Sequence, residues 1–257
     1  MDAHPRLATR PVVVPPPRRR VTVGASTPGE QPQRPGRMRR LWRHHGLSLT
    51  LFGLFLLCAL SQSVMGHRHY NTEQQAHGHS PIGYLAYVRT GHFVEALAEN
   101  WESEFLQMAA YILLTVGLRQ KGAPESKKLD REEPVDADPS RSADPQAPWP
   151  VRRGGLLLAL YAHSLTLALG GLFALSFLLH AVGGVRAYNA EQLAHGEVPI
   201  TWLQYLGTAA FWFESLQNWQ SEFLALGVML VLSIVLRQQG SPASKPVAAP
   251  HHETGHA

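Results

Sequence analysis

Residues 70–78, Tyr-Asn-Thr-Glu-Gln-Gln-Ala-His-Gly, return 118 positions later as residues 188–196, Tyr-Asn-Ala-Glu-Gln-Leu-Ala-His-Gly. Working outward from this pair, residues 45–127 align with 163–245 without an insertion, and about 39 of the 83 positions are identical. His45 matches His163, Gly53-Leu54-Phe55 matches Gly171-Leu172-Phe173, and Pro81-Ile82 matches Pro199-Ile200. Asn100-Trp101 and Ser103-Glu104-Phe105-Leu106 return as Asn218-Trp219 and Ser221-Glu222-Phe223-Leu224. Two unrelated apolar segments do not share this many polar residues in register, so duplication followed by divergence is the economical account.

Each copy has one plan. An uncharged run comes first, Gly46–Gly66 in the first copy and Ser164–Gly184 in the second, the latter with an apolar extension back to Gly155. Both reach the roughly 20 residues a helix needs to cross a bilayer. A polar and aromatic stretch follows, and a second apolar run closes the unit, Phe105–Leu118 or Phe223–Leu236. Counted from Trp101 and Trp219, whose rings suit a membrane interface, these runs are also long enough for a short span. The pattern predicts an all-α membrane protein of four transmembrane helices, built from two tandem parallel helical-hairpin repeats with short extracytoplasmic helices. Its parts are a disordered Arg/Pro-rich cytoplasmic tail (1–43), repeat 1 (44–128, spans 46–66 and 101–118) and a flexible cytoplasmic linker (129–153). Repeat 2 (154–246, spans 160–184 and 219–236) and a disordered tail (247–257) follow.

Composition agrees. The 257 residues are 45% hydrophobic and only 16% charged, against roughly 25% charge in ordinary soluble domains. An ordinary soluble enzyme, a fibrous protein and a fully disordered chain are excluded. The single Cys58 excludes a disulfide framework, a cysteine zinc site and dithiol chemistry. Of 23 Lys and Arg, all but Arg68, Arg89 and Arg186 fall before residue 44, within 119–153 or beyond residue 236. That asymmetry predicts a cytoplasmic N-terminus and C-terminus. The two copies then point the same way and are related by a pseudo-two-fold axis along the membrane normal.

Candidate chemistry lies in the repeated polar segment. Residues 70–78 read as a short helix with Asn71 as N-cap, Gln74 in a capping box and Gly78 at C′. Thr90 and Thr208 are positioned to cap helices running into the second spans. Glu73 and His77 are four apart and share a helix face, as do Glu191 and His195. A pseudo-two-fold axis would bring two carboxylates and two imidazoles together, a ligand set for zinc, iron or manganese. Asn100, Glu104, Asn218 and Glu222, at the heads of the second spans, would line a polar cavity, because an acid there is costly unless paired or wet. The simpler alternative is structural, with His77 and His195 satisfying backbone carbonyls at a helix end. His180 is read as glue between helices. No nucleophile elbow, phosphate-binding glycine loop or His-Glu-x-x-His pair is present, so no catalytic residue is assigned.

On the motifs Tyr-Asn-x-Glu-Gln-x-Ala-His-Gly and Asn-Trp-x-Ser-Glu-Phe-Leu, each in two copies, the chain resembles a family of small bacterial membrane proteins known only as a domain of unknown function. The resemblance covers residues 38–246 and implies four spans in a bacterial inner membrane; it implies no activity or cofactor. One departure is Glu102, where the second copy has Gln220. The leading expectation is a non-enzymatic accessory or scaffold protein, partnered by the lipid bilayer and by further copies or envelope proteins, not by nucleic acid. The alternative is a metal-ion or proton binding and transport module, with a divalent metal as its sole cofactor.

Overall fold

The computed structural model of the protein describes residues 36–255. The tail expected over 1–43 lies outside the described residues as far as residue 35, and so do residues 256 and 257 of the C-terminal tail. The described residues are helical throughout, with turns between and no strand. Contacts divide the chain into two compact units, Met1–Phe55 and Leu56–Ala257. Helix α1 (Arg37–Ala76) begins in the first unit; the packing described below belongs to the second.

Among the described residues, three helices are long and apolar enough to cross a membrane: α1, α6 (Ser164–Ala194) and α8 (Ala209–Val235). Helix α3 (Gly91–Gly117) has the same 27-residue length as α8, but Glu95, Glu99, Glu102 and Glu104 all fall in its N-terminal half. Two four-residue helices, α2 (Tyr84–Tyr87) and α7 (Trp202–Tyr205), precede α3 and α8. Between α3 and α6 the chain forms two short 3-10 turns, then α4 (Trp149–Arg153) and α5 (Gly155–Ala162). Helix α5 stops at His163, whose dihedrals (φ −111°, ψ 10°) break it from α6.

The expectation that Asn71 opens a separate helix is corrected by the structure. Helix α1 continues from its apolar run to Ala76, because the intervening residues contain no proline and the one glycine, Gly66, costs only about 1 kcal/mol in a helix. Asn71 therefore sits mid-helix and spends its amide elsewhere. Its Nδ2 donates to the Ile82 carbonyl (3.0 Å) and its Oδ1 accepts the Ile82 N–H (2.8 Å). Asn189 holds Ile200 by the same two bonds, both 2.8 Å. Each amide thus substitutes for a strand partner and turns the chain back toward its helix. Gly78 does end α1 as expected. At φ +77° it permits the paired closing bonds His79 N to Gln74 O and Gly78 N to Gln75 O, the Schellman arrangement. Thr90 and Thr208 cap α3 and α8, accepting from the N–H of Phe93 and Phe211. Both helices then run unbroken past Asn100 and Asn218.

Helix α3 packs chiefly on α6, with α8 beside α3 and α7 against α6. The α3–α6 crossing is made by glycines: a Cβ on Gly91 would come within 2.5 Å of the Gly183 carbonyl, and one on Gly183 within 2.7 Å of the Glu95 amide nitrogen. Backbones this close are the usual reason small residues collect between membrane helices. Beside the crossing, Ala181, Val185, Tyr205 and Phe211 form the buried apolar cluster, with Phe177 and Tyr188 packed against it. Near the C-terminus, Lys245 is buried and donates to the carbonyls of Pro250, His251 and Glu253. Thr254 and Gly255 bond Gly122 and Ala123, so residues 245–255 lie against the loop after α3.

Gly183→Ala should lower the thermal unfolding temperature of the detergent-solubilised protein, equivalent to about 1–3 kcal/mol of overpacking. Gly171→Ala, at a position with open space around its added methyl, should leave it no lower. Equal unfolding temperatures for the two variants would show that the crossing does not depend on Gly183.

Candidate functional site

Three turns of α3 place Glu95, Glu99 and Glu102 at i, i+4 and i+7, one stripe of the helix. The glycine crossing sets that stripe against His180 on α6, and α8 brings Glu214 to the same place. His180 and Glu102 are both fully buried (0% side-chain exposure) and meet at 2.8 Å through His180 Nδ1 and Glu102 Oε2. The other oxygen of Glu102 accepts the indole N–H of Trp219 at 3.0 Å. On the far side of the ring, His180 Nε2 lies 3.4 Å from Glu214 Oε2. Phe211 covers the imidazole, with ring centroids 4.7 Å apart and planes 30° from parallel, which fixes the ring plane.

Tyr205 completes the group from α7. Its hydroxyl stands 3.1 Å from Glu95 Oε1 and 3.1 Å from Glu214 Oε2. A phenol has one proton, so it satisfies one of these carboxylates at a time. Burial, and then the two carboxylates beside it, push the Tyr205 pKa above its ordinary value, so the hydroxyl stays protonated and donates. Gly184 makes room for it: an added Cβ there would strike the Tyr205 ring and Glu95 Oε1. Glu99 adds a further half-buried acid close by, and Asn218 donates to the Glu214 backbone carbonyl at 3.3 Å.

Among the described residues, Glu95, His180 and Glu214 offer three ligand atoms all within 4.8 Å of one another. This is a group capable of holding a cation. The residues singled out from the sequence lie elsewhere or serve beside it. Glu73 and His77 are exposed, with His77 Nδ1 2.9 Å from the Glu73 carbonyl and Glu73 paired to His69 at 3.3 Å. Glu191 and His195 are exposed too, with His195 Nδ1 3.0 Å from the Glu191 carbonyl. Asn100 is exposed and bonds the Ala96 carbonyl, and Glu104 is exposed. Asn218 and Glu222 are half-buried; the backbone of Glu222 accepts Gln107 across the α3–α8 seam at 2.7 Å.

The cluster is built where the two copies disagree. At the matching positions His180 faces Gln62, Glu214 faces Ala96, Glu95 faces Phe213, Glu99 faces Gln217 and Glu102 faces Gln220. Tyr205, Phe211 and Trp219 recur as Tyr87, Phe93 and Trp101, whereas none of the acids and not the histidine does. A reading weighted toward repeated residues passes over the rest. The signal available in the sequence is the set of ionisable residues present in one copy alone, among them Glu102, read there as a departure between the copies, and His180, read there as glue between helices.

Residues 38–256 match a protein family described as a domain of unknown function, DUF6766. The chain belongs to that family. No curated protein and no solved structure matches it.

Glu102→Ala should destabilise the protein by about 2–6 kcal/mol, because His180 and Trp219 would each be left as a buried donor without an acceptor, at about 1–3 kcal/mol apiece. Glu104→Ala, on the exposed side of α3, should stay within about 0.5 kcal/mol. Chemical unfolding followed by tryptophan fluorescence measures both; similar values would mean that Glu102 is not paired.

Proposed function

We propose that this protein is an integral membrane protein that binds a cation at the acidic cluster between α3, α6, α7 and α8. The observation carrying the reading is a charge imbalance. Four carboxylates, Glu95, Glu99, Glu102 and Glu214, gather around one imidazole, and among the described residues no lysine or arginine pairs with them. Carboxylates withdrawn from water are expensive unless paired, hydrogen-bonded or bound to a cation. One tyrosine hydroxyl shared between two of them leaves that requirement unmet, and a bound cation supplies the missing positive charge.

In this reading α3 is the fourth membrane-crossing helix, with Glu95, Glu99 and Glu102 tolerated because they face the protein rather than lipid. The chain is a non-enzymatic binding or transport module of a bacterial inner membrane, with its termini and linker in the cytoplasm. Glu214, with 34% of its side chain exposed, is the side from which a cation enters. The repeated elements Glu73, His77, Glu191 and His195 hold helix ends in place. A scaffold role for partner proteins is a weaker reading, since it asks nothing of the buried acids.

The test is a cation panel (Na+, K+, Mg2+, Ca2+, Mn2+, Co2+, Zn2+) added to metal-stripped protein during thermal unfolding. A cation at 100 times its dissociation constant should stabilise by about 2.7 kcal/mol, a shift of several degrees, and Glu214→Gln should abolish it. If no cation stabilises the parent, the reading fails. Topology has its own check in a Cys58→Ser background. Ser80→Cys should react with a membrane-impermeant maleimide on intact cells, whereas Ser140→Cys should react only after the membrane is opened; the opposite pattern overturns the orientation.

A further inference from the structure

We infer that the cation is a divalent transition metal, ligated by His180 Nε2 and the carboxylates of Glu95 and Glu214, with Glu102 as the residue that positions the imidazole. The inference rests on the cation-binding reading above and specifies its ligand.

Glu102 decides which nitrogen of His180 is available. Trp219 Nε1 is a donor only, so Glu102 receives it as an acceptor on Oε1. The second oxygen, 2.8 Å from His180 Nδ1, then takes the Nδ1 proton as a hydrogen bond. A neutral imidazole with its proton on Nδ1 presents a bare lone pair at Nε2, and Nε2 is the atom that faces Glu214. A carboxylate behind a histidine, fixing its tautomer and ring direction, is the usual support of a metal-ligating imidazole. Phe211 holds the ring plane from one side. Each of these contacts comes from a different helix position, so the lone pair is aimed by the fold and not by chance rotation of a surface histidine.

The spacing of the donors suits one ion. Metal–nitrogen and metal–oxygen bonds of about 2.1 Å place neighbouring ligands about 3.0 Å apart in an octahedron and about 3.4 Å apart in a tetrahedron. Here Nε2 to Glu214 is 3.4 Å, and Tyr205 stands 3.1 Å from both Glu95 and Glu214. The first distance is long for a charge-assisted hydrogen bond and right for two ligands of one ion. The phenol of Tyr205 lies at the edge of the same set and orients both carboxylates.

The ligand types decide the class of ion. Calcium and magnesium are bound by oxygen, and magnesium keeps several waters. A set of one imidazole nitrogen and two carboxylates suits manganese, iron, cobalt or zinc, and the lack of thiolate disfavours copper(I). A divalent ion balances the charges of Glu95 and Glu214, while Glu102 is satisfied by two N–H donors.

The experiment uses full-length protein in detergent with His251→Gln, His252→Gln and His256→Gln, so that the C-terminal histidines contribute nothing. Cobalt(II) is the probe, read by its visible d–d bands and by quenching of Trp219 fluorescence. One cobalt per chain is expected, with bands that disappear in His180→Gln and in a Glu95→Gln/Glu214→Gln double variant. Glu102→Gln should keep the bands while weakening binding about 10–100-fold. Circular dichroism and the glycine-crossing stability of each variant identify any that fail to fold, and two independent ligand variants guard against that outcome. Cobalt binding unaffected by His180→Gln, or no tighter than magnesium or calcium, overturns the transition-metal inference while leaving the cation-binding reading standing if Glu214→Gln still abolishes stabilisation. Absence of stabilisation by every cation overturns both.

Discussion

The hydrogen bond between Glu102 and His180 is the interaction on which the α3–α6 unit turns. Both side chains are fully buried, and they belong to different helices and different copies of the duplicated sequence. A buried acid and a buried imidazole are tolerated when each satisfies the other, so the pair specifies the register of α3 on α6. The glycine crossing at Gly91 and Gly183 makes the pairing reachable by letting the backbones approach. Neither feature would serve without the other: bulky residues at the crossing would hold the partners apart, and apolar residues at 102 and 180 would leave the register unspecified.

From that pair the rest of the cluster follows. Trp219 reaches Glu102 from α8, which ties α8 to α3. Tyr205 reaches Glu95 and Glu214 from α7, which ties the returning loop to both long helices. The loop itself is held by Asn189 on Ile200, as its counterpart is by Asn71 on Ile82. Common backbone devices, the two asparagine pins, the two threonine caps and the two closing glycines, thus carry side chains that differ between the copies. The backbone devices stand at matching positions of the two sequence segments, whereas the acids and the histidine of the polar centre do not. In the first copy the matching contact is reduced to Gln62 donating to the Ala96 carbonyl at 3.4 Å.

Much of the helical architecture was legible in the chain. Uncharged runs of adequate length, the threonine caps of α3 and α8 and the glycine that closes α1 all rest on local chemistry, which a linear sequence displays. The extent of α1 was misjudged at Asn71, because an asparagine that pins a distant backbone amide looks the same in sequence as one that caps a helix. The emphasis on Glu73 and His77 had a similar origin. Repetition identifies what both copies need for folding, and their exposed side chains hold neighbouring groups of their own helix.

By itself the sequence determined that the chain is helical and carries uncharged runs long enough to cross a membrane; read alone it suggests four spans, whereas three helices among the described residues are long and apolar enough. Those properties depend on residues within a few positions of one another. Only the tertiary structure decided that Glu95, Glu102, His180, Glu214 and Tyr205 form one group. Their proximity depends on two helices from different copies crossing at Gly91 and Gly183, with residues 78 positions apart meeting at 2.8 Å. No local pattern encodes such a contact, because it is created by packing, and the penalty for burying an unpaired acid acts only once the helices have come together.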